Sequence, residues 1–212
     1  MKKSLALALS IILILGLFVG CNKDAADSTT TAATEAPAEP AGTLYLSFGP
    51  ALEVSYDDAG NVLQITGTNE AGKTIAAESA DQVGRGCVFA ARKFLRCASD
   101  NKLLGDAKSM VVRVDNDDPL PTEDFLDTIV TDCQYLADEE CTGIQMMKIT
   151  VDDLDSDGNI LPATAKRLAA RFLGITESDL QGEETVVDGF YNFSCGDATC
   201  AVDAFTGLVT KK

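Results

Sequence analysis

Histidine is absent from all 212 residues of the chain. Without an imidazole there is no Ser-His-Asp or Cys-His arrangement, since that ring is the base such groupings use at neutral pH. No Cys-x-x-Cys pair occurs either, so the seven cysteines do not spell a zinc site. Positive charge is scarce: 17 Lys and Arg stand against 33 Asp and Glu, a formal charge of −16. So acidic a chain repels phosphate backbones and anionic lipid heads, which excludes nucleic acid as a partner. No internal repeat is visible. The longest apolar run, Leu5 to Val19, is about fifteen residues, short of the roughly twenty that a membrane-spanning helix needs.

What is present begins with an address. Lys2 and Lys3 precede the apolar run, which only Ser10 and Gly16 interrupt, and Gly20-Cys21 follows. That order reads as a secretory signal. The end of the run, Leu17-Phe18-Val19-Gly20-Cys21, resembles the bacterial lipobox, with Phe18 where Leu is usual. The resemblance implies a signal peptide over residues 1–20 and a lipid on Cys21. A plain secretory signal and an uncleaved anchor are the alternatives. Removing residues 1–20 removes two lysines and no acid, leaving 15 basic residues against 33 acidic ones, a formal charge of −18. The expected location is the outward face of a bacterial cell membrane, with the membrane itself as a partner through the several acyl chains that stable anchoring requires. Residues 21–42, rich in Ala, Thr, Pro and acids, hold no large apolar side chain and read as a disordered tether.

Beyond the tether the periodicity predicts an α+β fold. Residues 44–56 alternate as a strand, Asp57-Asp58-Ala59-Gly60-Asn61 is a turn, and Val62–Thr66 returns as a second strand. Val83, Cys87, Ala90, Phe94 and Ala98 share a helical face; Met110–Val114 is a strand; Phe125, Ile129, Cys133 and Leu136 share a second helical face; Met146–Val151 is a strand. The order β-β-α-β-α-β implies a small mixed sheet with helices on one face, over residues 43–151. Past an Asp-rich break, residues 152–212 form a smaller second domain: a helix facing inward with Ala165, Leu168, Ala169 and Phe172, then a hairpin of 190–195 against 199–204.

Six cysteines remain after Cys21, an even number that reads as three disulfides in an exported protein. Cys195 and Cys200 flank a hairpin tip and are expected to face each other. Cys87 and Cys97 lie on one helix, about 15 Å apart, and cannot pair. Parallel neighbouring helices favour Cys87–Cys133 with Cys97–Cys141, and Cys97–Cys133 is the runner-up.

Two stretches resemble known families. Residues 46–75, with Glu53, Gly60, Val62, Asn69 and Gly72 in register, resemble the extracytoplasmic middle domain of RsgI-type anti-sigma factors. That resemblance implies a domain that cuts itself at an Asn-Pro bond and relays a surface signal; the matching pair here is Gly49-Pro50, a degenerate cleavage position. Residues 165–209, ending in Val202-Asp203-Ala204-Phe205-Thr206-Gly207, resemble a PepSY domain. This implies a helix-plus-hairpin unit of the kind found beside secreted proteases as a supposed inhibitor. Read physically, Asp203 and Thr206 satisfy backbone groups at a bend where Gly207 takes a positive φ.

Asp153-Leu154-Asp155-Ser156-Asp157-Gly158-Asn159-Ile160 reproduces the first eight positions of a calcium loop. The twelfth position is Thr164 rather than Glu, and a strand precedes the loop. Two readings stand: a weak Ca²⁺ site using Asp153, Asp155, Asp157 and Asn159, or a solvated acidic turn. With no catalytic signature, the chain is expected to be a non-catalytic binding or regulatory module for a protein or cell-wall ligand. The alternatives are a PepSY-type protease inhibitor and a degenerate self-cleaving signalling domain.

Overall fold

A computed structural model describes residues 39–115, 117–140, 142–182 and 185–212. Cys21, the tether up to residue 38, and Cys141 lie outside the described residues. The protein is α+β as expected. The first strands are β1 (Gly42–Ser47), β2 (Ala51–Tyr56) and β3 (Val62–Gly67), an antiparallel meander. The alternating run 44–56 is therefore two strands, not one. The chain reverses at Phe48-Gly49-Pro50, where Gly49 takes φ +97° and the Phe48 N–H donates to the Pro50 carbonyl at 2.9 Å. Gly tolerates that backbone, and Pro has no N–H to offer a ladder.

Helix α1 (Glu70–Glu78) follows; Asn69 caps it, its side-chain oxygen accepting from the Gly72 N–H at 2.7 Å. After α2 (Cys87–Asp100), β4 (Ser109–Val114), α3 (Phe125–Glu139) and β5 (Gln145–Ile149) complete the first half. The sheet order is β3-β2-β1-β4-β5, with only β4 and β5 parallel. Leu44, Leu46, Leu52, Val54, Met110 and Val112 point to one face and are buried under the helices with Ala90, Phe94, Ile129 and Leu136.

The second half holds a 3-10 turn at Val151–Asp153, then α4 (Pro162–Leu173), β6 (Gln181–Gly182), β7 (Phe190–Cys195), β8 (Ala198–Asp203) and β9 (Val209–Lys211). Pro162 starts α4 without wasting a helical N–H, and Gly174, with φ +70°, ends it. The four strands form one antiparallel sheet in sequence order. Their core of Leu168, Ala169, Tyr191, Phe193 and Val202 includes Val111, Met147 and Ile149 from the first sheet. Residues on both sides of the 151/152 boundary therefore share this second core. Strand β4 is covered on both faces.

The Asp203–Leu208 bend is built as its residue types require. The Asp203 carboxylate accepts from the N–H groups of Phe205 and Thr206 (3.0 and 2.7 Å), and the Thr206 hydroxyl accepts from the Leu208 N–H at 3.2 Å. Gly207 takes φ +70° and lies so close to Val111 that an added Cβ would sit 3.2 Å from it.

Candidate binding cleft

Strands β4 and β5 are parallel, so both end on the same side, beside the start of α3. Beyond their carboxyl ends lies a space that neither strand fills. Here it is a cavity of about 250 Å³. Val114, Leu126 and Ile149 form its buried apolar floor, and Leu120 and Val151 stand exposed at the rim, 42% and 64% accessible. Four carboxylates line it, from Asp115, Asp118, Glu123 and Asp127, against one ammonium, that of Lys148.

Three of the four acids are held in place. Lys148 pairs with Asp127. Asp118 accepts from the Thr43 N–H at 2.7 Å, tying the wall to the start of β1. Asp115 accepts from the Tyr45 hydroxyl at 3.0 Å and from the Arg113 guanidinium at 2.8 Å. Burial, then the neighbouring Asp115 carboxylate, push the Tyr45 phenol up to about 12, so it remains a proton donor. Glu123 is exposed.

Arg113 anchors this wall from beneath and is 1% exposed. Its guanidinium lies 4.0 Å from the Phe205 ring centre and donates to the Phe205 carbonyl. It therefore clamps the β8–β9 bend onto β4, although its Nε has no partner among the described residues. The arginine inside the otherwise apolar Met110-Val111-Val112-Arg113-Val114 is the sequence signal for such a clamp. Asp115 and Asp118, from the acidic stretch after β4, line the cleft.

The calcium reading is not supported by the loop geometry. Asp153 is engaged away from the other acids: one carboxylate oxygen takes the Thr150 N–H and hydroxyl (both 3.1 Å), the other the Thr164 hydroxyl and Arg167 (both 2.9 Å). Burial opposes its ionisation, but these hydrogen bonds prevail and hold the carboxyl below its usual value. Asp155 closes its own loop, accepting from the N–H groups of Asp157 and Asn159 at 2.9 Å each. Among the described residues no three His, Cys, Asp or Glu side chains converge on a metal-sized position.

The expected disulfides are absent among the described residues: Cys87, Cys97, Cys133, Cys195 and Cys200 are free thiols. Helices α2 and α3 are parallel, but Arg92 meets Asp132 at 3.7 Å and Arg96 meets Glu140 at 2.8 Å. Those offsets of 40 and 44 residues set Cys133 level with residues 89–93, two to six residues beyond Cys87, or roughly 3–9 Å along the axis. The same stagger separates Cys97 from Cys133. The Cys97 thiol instead donates to Glu78 of α1 at 3.0 Å. In the tail hairpin a two-residue loop sets Cys195 opposite Ala198 and Cys200 opposite Phe193. The two cysteines are therefore diagonal, at a typical Cα separation of about 7–8 Å, beyond the usual disulfide reach of about 4.4–6.8 Å. Burial pushes the thiols of Cys87 and Cys133 up to about 12 and that of Cys200 to about 11.

At the degenerate cleavage position, the Gly49 carbonyl accepts from the Asn69 side-chain amide at 2.8 Å. Asn69 also accepts from the Ala51 N–H at 3.1 Å, so one side chain ties the β1–β2 bend to the start of α1. No side chain on Gly49 can attack the bond to Pro50.

A scan against protein-family models finds no match for this chain. A search of curated proteins finds none either.

Proposed function

We propose that the chain is a non-catalytic surface lipoprotein, anchored through Cys21, that captures a basic segment of polypeptide in the β4–β5 cleft. The observation that carries this is the cleft's composition: an apolar floor ringed by four acids and one lysine. An extended segment alternating cationic and apolar side chains matches that lining. Apolar groups fill the floor, and ammonium or guanidinium groups meet Asp118, Glu123 and Asp127. The anchor rests on the order of basic start, apolar run and Gly20-Cys21.

Calorimetric titration of the chain from Asn22 onward with a peptide of alternating lysine and leucine tests the cleft. Binding that weakens at high salt and disappears in Glu123→Lys/Leu120→Lys supports the proposal. Equal binding of a glutamate–leucine peptide contradicts it. For the anchor, Cys21→Ser in the full chain is expected to move the protein from membranes to medium; a variant that still sediments with washed membranes counts against it.

A further inference from the structure

The 33 acids are not spread evenly. From Gln82 to Ser99 there is none, and four of the chain's 17 basic residues fall in that stretch: Arg85, Arg92, Lys93 and Arg96. Helix α2 arranges them. Phe89, Arg92, Lys93 and Arg96 follow the i, i+3, i+4, i+7 spacing that gathers side chains on one helical face. All but Arg92 are exposed, and Phe89 is 71% accessible. With Leu136 they line a shallow hollow of about 310 Å³ between α2 and α3. An aromatic ring ringed by arginines is the composition of an interface anchor, since such residues bury much area at little entropic cost.

Arg92 and Arg96 have ion-pair partners in Asp132 on α3 and Glu140 just past its end, yet the face still presents an apolar ring among cations. The β4–β5 cleft is a surface of opposite character, acidic with an apolar floor. We propose that the α2 face of one copy seats in the β4–β5 cleft of a second copy, with Phe89 over the apolar floor and Lys93 toward Glu123. This rests on the cleft being a binding site for cationic, apolar segments. The two surfaces are different patches of one chain, so the contact is heterologous and a pair of copies keeps one free face and one free cleft. A single aromatic anchor makes a small interface, and small interfaces are weak. Tethering raises local concentration enough for weak contacts to matter.

Two double variants of the chain from Asn22 onward test it by sedimentation over a concentration series. Phe89→Asp/Lys93→Glu spoils the face, and Leu120→Lys/Glu123→Lys spoils the cleft; all four positions are exposed. The unmodified chain is expected to grow into larger species with concentration, with an apparent dissociation constant about tenfold higher at 0.5 M salt than at 0.05 M, because screening shortens the reach of the charges. Each variant alone is expected to remain monomeric. Mixed, they form a 1:1 pair that grows no further, one supplying the intact cleft and the other the intact face. An unmodified chain that is monomeric throughout overturns the proposal, as does a cleft variant that still self-associates or a mixture that fails to pair. The face variant should still bind the lysine–leucine peptide. If the peptide binds but the chain does not self-associate, this inference fails and the cleft reading stands; if the peptide does not bind at all, the cleft reading fails.

Discussion

Replacing Asn69 probes how the first bend and the first helix are joined. Its oxygen accepts from the N–H groups of Gly72 and Ala51, and its amide donates to the Gly49 carbonyl. Asn69→Ala removes all three. Loss of the helix cap alone costs about 0.5–2 kcal/mol. The Ala51 N–H and Gly49 carbonyl then need new partners; leaving a buried group unsatisfied costs roughly 1–3 kcal/mol, but the bend is only part-buried and water recovers some of it. The expected total is about 2–3 kcal/mol. Asn69→Asp keeps both accepting bonds beside a helix start that favours negative charge, and exchanges the donation to Gly49 for an oxygen that must turn away from that carbonyl. It should cost about 1 kcal/mol. Urea unfolding with an unchanged m-value measures both, the difference appearing as a shift in midpoint. Equal losses for Ala and Asp would show that the accepting bonds contribute nothing, and the reasoning would fail.

Gly207→Ala should destabilise by about 1–3 kcal/mol through its left-handed backbone, with crowding against Val111 and Leu168 added; a neutral result in urea would remove the bend from the account. Asp153→Asn should lower stability at pH 7. The Asp153 carboxyl is depressed below 3.8, so its contribution is complete above that value and fades as pH falls through the lower folded pKa. The gap between native and variant should therefore narrow in acid, and a gap that widens there contradicts the assignment. Titration with millimolar calcium should give a flat calorimetric trace, because the Asp153 and Asp155 carboxylates are turned to separate partners; a binding heat lost in Asp155→Ala would refute that.

Much of the fold was legible in the sequence because long apolar periodicities decide it: α2, α3, α4, β4, β5 and the tail hairpin all follow their patterns. The β1–β2 bend was hidden by an accident of phase. Leu46 and Leu52 are six residues apart, an even number, so the alternation continues across the turn and imitates one strand. Helix α1 escaped notice because Ile75 is its only large buried side chain. Its helical state rests on the Asn69 cap and on packing against β3, neither of which produces a periodic signal. The register of α2 against α3 is not legible either: parallel helices follow from the order of elements, but their offset depends on loop lengths that periodicity does not report. The cleft was illegible for a related reason. Its walls come from strand ends and a loop brought together only by the parallel pairing of β4 with β5, and Asp115–Asp118 taken alone is indistinguishable from a solvated turn.

The most direct test of the cleft is an amide chemical-shift map of the isotope-labelled chain from Asn22 onward, titrated with the lysine–leucine peptide. The account predicts that the perturbed amides cluster in Val114–Asp127 and Lys148–Val151, on opposite walls of one cavity, and that the perturbation vanishes in Leu120→Lys/Glu123→Lys. Saturable shifts confined to some other face, or no shifts at millimolar peptide, would contradict it.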